Sequence, residues 1–314
     1  MAAVEKHPNI RILYGKKTVG IDESDTGVTL KFADGETATG DILIGCDGIH
    51  SVTRLMHVEP ERKSRYSGIC NAFGFTKRPV IDPLALEPIP EIAHFETSAM
   101  NCGRRGMLLT SYHNAEHDSF YVGGLMQVPE IMSRDGWKAA GADAEKVRGE
   151  MMERFGKGAK LDIIPRMIRD AEDLFLWPVF TLSKGGKWAT QRVMLIGDSA
   201  HAMPPQGEST GIVFEDGVLF ARCIARWMDR GGEKVAPVKE AFDAYEKLRR
   251  ERIDIAFEES QSVVRTVNDA GWLGHMIKMK IVPWYLWWTR SYREEHFVED
   301  VTRKELNYPP KELE

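Results

Sequence analysis

Cysteine is scarce in this chain, and neither sign of charge dominates. The four cysteines among 314 residues are Cys46, Cys70, Cys102 and Cys223. No two of them form a C-x-x-C pair, so their spacing gives no zinc site. Reduced thiols in a reducing compartment are the simplest reading, which sets a cytoplasmic location as the expectation. Cys46 and Cys223 lie inside apolar runs and are expected to be buried packing residues. Lys plus Arg is 42 and Asp plus Glu is 47, a net charge of -5, which removes the electrostatic reason to expect a nucleic-acid partner. Long apolar runs are missing too, since none reaches the roughly 18 residues that span a bilayer. The opening MAAVEKHPNIRILYG lacks the apolar stretch of a signal peptide. The nearest approach to an apolar run is MIKMKIVPWYLWWTR at 276–290, broken by two lysines and a proline. We read it as a helix end and corner packed on the body, with contact of its aromatic end with a membrane surface as the alternative.

What is present is an ordinary globular composition, 43% hydrophobic and 28% charged. The length exceeds what one compact core usually takes and predicts two interleaved lobes. Turn chemistry at Asp25-Thr26-Gly27 and Asp34-Gly35 separates alternating segments, which predicts hairpins near the start. DILIGCDG is a short apolar run ending in Asp-Gly, the pattern of a buried strand that feeds a loop. From about Arg62 to Ser183 the chain is strand-rich, with a turn over 113–118 and a proline-laden connection, DPLALEPIPEI. ADAEKVRGEMMERFG places Val147, Met151 and Phe155 four apart and predicts an amphipathic helix. Further on, a helix is expected over 210–227 with Ile212, Leu219, Cys223 and Trp227 on one side. A long helix should then carry Phe242, Tyr245, Leu248, Ile253 and Phe257, and break near Gly271.

Two stretches carry chemistry. In DILIGCDGIHSVTR, Asp47 ends a strand, Gly48 lets backbone approach a ligand, and Arg54 offers a guanidinium that suits phosphate. A β-turn with a helix cap at Ser51 is the alternative for the same residues. In RVMLIGDSAHAMPPQGESTG, a strand delivers Gly197 and Asp198, and a carboxylate there accepts hydrogen bonds from sugar-like hydroxyls. Pro204 and Pro205 fix the chain direction, and a helix then opens around Gly207, Ser209, Thr210 and Gly211. Its free N–H groups and positive pole favour negative charge.

Together these stretches resemble the flavin-dependent aromatic hydroxylases, the group A flavoprotein monooxygenases with the para-hydroxybenzoate hydroxylase fold. The matching residues are Asp47, Gly48, Ser51 and Arg54, then Gly197, Asp198, Ala200, His201, Pro204, Gly207, Glu215 and Asp216. The resemblance implies an α/β fold with a Rossmann-like FAD-binding lobe, a mainly β substrate lobe and C-terminal helices. Its lobes would divide as 1–60 and 186–265 for FAD, 61–185 for substrate and 266–314 for a helical tail. It implies that Asp198 holds the ribityl hydroxyls of FAD. It implies that the turn from Gly207 to Gly211, with Pro205 before it, brings N–H groups to the flavin pyrimidine edge. Asp47 and Arg54 would act near the pyrophosphate. NAD(P)H would reduce the flavin, and one atom of O2 would pass to an electron-rich ring or alkene of a small aromatic or polyketide-like substrate.

The chain departs from the family pattern in places. No G-x-G-x-x-G occurs, and the nearest approach, Gly156-Lys157-Gly158, meets Leu161 where the third glycine belongs. The acid expected to grip the adenosine ribose is also missing, so the incomplete FAD lobe is expected to lack an N-terminal βαβ segment. Glu208 adds negative charge near the proposed flavin edge. Rival readings are a remnant without stable FAD, or another flavin enzyme such as a halogenase or reductase. Trp284, Trp287 and Trp288 do not form the halogenase W-x-W-x-I-P signature and read as packing or surface contact. His201 reads as a structural hydrogen-bonding group rather than a proton-transfer group. His113 and His117 are four apart but sit in a turn rather than a helix, where that spacing would make a metal pair converge, and no metal or catalytic acid–base set is expected.

Overall fold

The structure, a computed structural model, describes residues 4–77, 98–157, 163–205, 209–267, 269–291 and 300–306. The connection DPLALEPIPEI, Gly158, Leu161, Gly207 and Glu208 lie outside the described residues.

The chain adopts the expected α/β fold. Strands β1 (Thr18–Glu23), β2 (Val28–Phe32) and β3 (Thr37–Gly40) form an antiparallel meander. The two turn signals set it. Ser24 N–H donates to Gly27 O at 2.9 Å, and Gly35 takes φ +86°, where a side chain would be strained. β4 (Leu43–Gly45) then pairs in parallel with β10 (Val193–Leu195), whose three side chains are fully buried. Leu43 N–H donates to Arg192 O and Ile196 N–H donates to Gly45 O. These bonds face β10, so the backbone groups of Ile44 point to the opposite edge of β4. No described residue pairs with that edge.

The middle of the chain forms a five-stranded antiparallel sheet, ordered β6–β7–β8–β5–β9. Its strands are β5 (Arg65–Lys77), β6 (Ser98–Gly103), β7 (Gly106–Tyr112), β8 (Ser119–Gln127) and β9 (Glu172–Thr181). The turn expected at 113–118 joins β7 to β8. Alternation along β5 sorts the two faces, with Ala72 and Thr76 buried and Asn71, Phe73 and Phe75 half-buried. The buried face packs against α1 (Arg134–Ala142), α2 (Ala144–Met151) and α3 (Ile163–Asp170). Ser133 and Asp143 cap α1 and α2 by accepting from the N–H groups of Gly136 and Lys146. Val147, Met151 and Phe155 turn onto the sheet as their spacing predicts, the last from a π-helical turn that extends α2.

After β10 come α4 (Asp198–His201), α5 (Ser209–Asp229), α6 (Lys239–Val267) and α7 (Trp272–Trp288). One core gathers Val28, Val58, Val193 and Leu195 with Leu219 and Phe220 of α5 and Phe242, Tyr245 and Ile253 of α6. Burial of each such large side chain is worth about 1.5–3 kcal/mol. The far end of α6 packs Val264 and Val267 on Ile69 and Met107. Thus α6 ties the parallel strands to the less covered face of the large sheet.

Two expectations are corrected. Cys223 is buried, but Cys46 is exposed, because it leaves the C-terminal end of β4 rather than lying within the strand. The segment 276–290 is not a corner packed on the body. It continues as helix through Pro283, and most of its large apolar side chains are exposed.

Candidate cofactor site at the ends of the parallel strands

β4 and β10 run side by side and release their loops at the same end, where open α/β sheets place ligands. β4 ends in Gly45-Cys46-Asp47-Gly48, and β10 ends in Ile196-Gly197-Asp198. The two loops hold their acids in opposite ways.

Asp47 is tied into its own loop. Its Oδ1 accepts from Ser51 Oγ at 2.6 Å, and its Oδ2 accepts from the N–H and hydroxyl of Thr53 at 2.9 and 3.0 Å. Ser51 Oγ accepts from Arg54 N–H at 2.8 Å and caps the short helical segment that follows. Gly48 makes the bend with φ +74° and has open space where a Cβ would stand. The turn-and-cap reading therefore accounts for Asp47 and Ser51.

Arg54 does not face a ligand. It is completely buried. Its guanidinium donates to the carbonyls of Arg62 at 3.1 Å, Ser199 at 2.7 Å and Ile49 at 2.5 Å. Arg62 lies beside it and donates to the carbonyls of Ala200, at 2.8 Å, and Ser183. The expected phosphate partner is thus a cross-link between the two loops. Fixed cations at the end of α4 satisfy carbonyls that the helix leaves unpaired.

Asp198 is the contrary case. It is exposed, and no described residue donates a hydrogen bond to its carboxylate. Loss of hydration raises its pKa, the carboxylate of Asp216 adds to the rise, and His201 opposes it. An acceptor with a raised pKa and no donor among the described residues is suited to hydroxyl donors from outside.

Asp198 is aimed by a buried network beneath it. Gly197, at φ +64°, donates its N–H to Asp216 Oδ2 at 3.0 Å. His201 Nε2 lies 2.8 Å from the same oxygen, and Arg249 Nε donates to Asp216 Oδ1 at 2.6 Å. Arg249 also pairs with Glu215 at 2.7 Å and donates to Ile212 O at 2.8 Å. Burial alone would raise the Asp216 pKa, but His201 and Arg249 outweigh it and hold the carboxyl below its ordinary value. Because Asp216 is an ionised acceptor, His201 carries its proton on Nε2. His201 is buried and occupied by this contact.

α5 begins beside this turn, with Val213 against Gly197. Ser209, Thr210 and Gly211 form its first turn. Thr210 and Gly211 are exposed, and Gly211 has open space around it. Pro205 is half-buried and closes the stretch that enters α5. The first turn of α5 thus begins one turn before the Val213 contact with Gly197, and Asp47 and Gly48 stand at the neighbouring strand end. Among the described residues, no group of three or more His, Cys, Asp or Glu side chains is placed to hold a metal.

Known proteins share this layout. No family model matches the chain. The chain is 30% identical over 238 residues to the 3-amino-4-hydroxybenzoate 2-monooxygenase of Streptomyces platensis, covering 74% of this chain and 52% of that protein. It is 30% identical over 266 residues to the salicylate hydroxylase of Pseudomonas putida, covering 76% and 55%. A solved salicylate hydroxylase substrate complex superposes with a TM-score of 0.68 at 20% identity, over 95% of this chain and 71% of that one. The chain's curated relatives are FAD-dependent aromatic monooxygenases. The chain spans about half the length of the curated relatives it matches. The Klebsiella pneumoniae HpxO structure with FAD and uric acid shares the fold, with a TM-score of 0.63 at 20% identity over 80% of this chain and 57% of that one.

Sequence reasoning matched Asp216 to the family but gave it no role, and it missed Arg249 and Arg62. Their partners are far away in sequence, so no local pattern marks them. It also missed an aromatic face with a readable signal. Phe73 and Phe75 on β5, and Phe175 and Trp177 on β9, stand two apart and so share one side of the large sheet. Phe73 stacks on Phe175 at 5.2 Å and meets Trp177 edge-on at 5.2 Å and Tyr121 at 5.7 Å. Asn71 Nδ2 donates to Tyr121 Oη at 3.3 Å, the polar contact within this group.

Proposed function

We propose that these residues form the ribityl- and ring-binding part and the substrate wall of an FAD-dependent monooxygenase. It would use NAD(P)H and O2 to hydroxylate or epoxidise a small aromatic or polyketide-like molecule. The observation that carries the reading is the Asp198 carboxylate. It is exposed at a strand end, without a donor among the described residues, and aimed by buried Asp216 beside the start of α5.

The residues fit the cofactor at that end. Asp198 would accept from ribityl hydroxyls, which favours its ionised form and offsets the desolvation that raises its pKa. The first-turn N–H groups at Ser209, Thr210 and Gly211 would face the electron-rich edge of the ring, with the helix pole favouring negative charge there. Pro205 and Gly207 would set the approach to that turn, and Gly197 would hold the peptide that orients Asp198. Asp47 would order the neighbouring loop so that Gly48 presents bare backbone. Bound FAD would supply hydride acceptance from NAD(P)H and the reduction of O2. The protein would orient the substrate and keep water away. Phe73, Phe175 and Trp177 would supply a flat apolar wall for an aromatic ring.

The pyrophosphate end is a separate matter. No G-x-G-x-x-G lies in these 314 residues, and Arg54 is occupied. The unpaired edge of β4 at Ile44 would accept the parallel strand of a segment bearing such a turn. That segment is a proposed partner of the site. In the same reading, 1–60 and 186–265 serve the cofactor, 61–185 the substrate and 266–314 forms a tail, in a cytoplasmic enzyme.

Titration of the purified chain with FAD, followed by flavin fluorescence, tests the proposal. Binding should weaken about 10- to 100-fold in Asp198→Ala, the scale of lost hydrogen bonds to a charged group. A folded chain whose affinity is indifferent to Asp198 would overturn it. Flavin binding followed by substrate-dependent NAD(P)H oxidation would extend it to the reaction.

A further inference from the structure

α7 is a helix without enough neighbours. Trp272, Leu273, Ile277, Ile281, Trp284 and Trp288 are all at least half exposed. His275, Lys278 and Val282, spaced three and four apart, form the half-buried strip that faces the body. The exposed apolar side chains occupy more than half of the circumference. Such a helix needs an apolar environment around most of its surface. A flat protein face closes over one side, whereas the boundary region of a bilayer surrounds the helix.

Charge and residue type point the same way. Residues 271–290 contain Lys278, Lys280 and Arg290 and no Asp or Glu, in a chain whose net charge is -5. Four of the eight tryptophans stand on this one helix, joined by Tyr285. Trp and Tyr favour the level of lipid headgroups, and lysines lay their stems on apolar surface while their ammonium groups reach water. Arg104 adds positive charge nearby, on the rim of a cavity of about 870 Å³ that is also lined by His275, Met276 and Met279 of α7; Arg105 beside it is paired with Glu153. No described helix is long and apolar enough to cross a membrane; in this reading α7 lies along the surface with its exposed apolar side against the lipid.

We propose that α7 seats this protein on anionic phospholipid, with its tryptophan-rich side in the acyl boundary and the exposed Lys280 and Arg104 among the headgroups. The other candidate occupant, a second copy of the chain, is an outcome of the test.

Flotation of the full chain with vesicles of phosphatidylcholine, alone or mixed with phosphatidylserine, decides the matter. Binding to the mixed vesicles should exceed binding to the neutral ones by about tenfold or more and fall with added salt, as for a few basic groups at a charged surface. Lys280→Gln with Arg104→Gln should reduce the preference for phosphatidylserine. Trp284→Ser with Trp288→Ser should abolish binding. Brominated phosphatidylcholine in the mixed vesicles should quench tryptophan emission of the unaltered chain, a readout that holds even if the tryptophan variant fails to fold. A folded chain that floats with neither vesicle overturns the proposal. So does a dimer in solution that dissociates on Trp288→Ser without any vesicle binding.

Discussion

Asp198 and Asp216 sit on either side of one glycine peptide, and the protein treats them oppositely. Asp216 is fully buried and accepts from Gly197, His201 and Arg249, and its pKa is lowered. Asp198 is exposed and accepts from no described residue, and its pKa is raised. The difference separates an acid that serves folding from an acid left for a ligand. Buried charge persists only where partners replace water. An acceptor at a strand end without a donor among the described residues is available to something else. Asp47 lies between these extremes, since it is exposed but internally satisfied.

The comparison breaks most visibly under truncation. Asp216→Ala leaves Arg249 buried without its carboxylate and should cost about 3–5 kcal/mol in urea unfolding. Asp198→Ala should change stability by no more than about 0.5 kcal/mol, the scale of surface substitutions. Equal losses would erase the distinction between the two acids. The ranking should reverse when FAD affinity is read in chains that remain folded, where the Asp198 variant loses the 10- to 100-fold described above. Asp47→Ala should cost about 0.5–2 kcal/mol, the range for a lost cap, with a smaller effect on flavin binding. A large loss of flavin from this variant, at unchanged stability, would make Asp47 a direct ligand.

pH sharpens the same contrast by a smaller amount. The Asp216 pKa is lowered on folding, so its stabilisation is present above the unfolded value of about 3.9 and is lost as pH falls through the folded value. The Asp198 pKa is raised, so ionising it costs stability as pH climbs from about 3.9 through its folded value. Urea midpoints measured from mildly acid pH down to below the unfolded value of about 3.9 should therefore lose part of their acid-side fall in Asp216→Asn. They should lose a weak opposing slope in Asp198→Asn. The same slope in both variants would contradict the assignment.

Local pattern made much of the fold legible. The Asp-Thr-Gly and Asp-Gly turns, the strand before Asp47, and the helices carrying Val147, Leu219 and Phe242 follow from alternation, spacing and capping chemistry. Those signals act within a few residues of each other. Arg54 shows where such reading ends. Beside a glycine turn it suggests a phosphate ligand, yet the Ser199 carbonyl that it holds lies 145 residues away. Cys46 and α7 misled for a related reason. An apolar run specifies a side chain that avoids water, but not whether the rest of the molecule supplies a cover.

The sequence by itself determined the element types, the two loops that end β4 and β10, and the family to which their residues belong. Backbone propensity and short-range hydrogen bonding are encoded nearby in the chain, and the family pattern is a matter of residue identity and spacing. Only the tertiary structure decided which acid is left without a donor among the described residues. Whether a carboxylate is available depends on the donors that reach it, and the donors of Asp216 come from a turn and a helix brought together by folding.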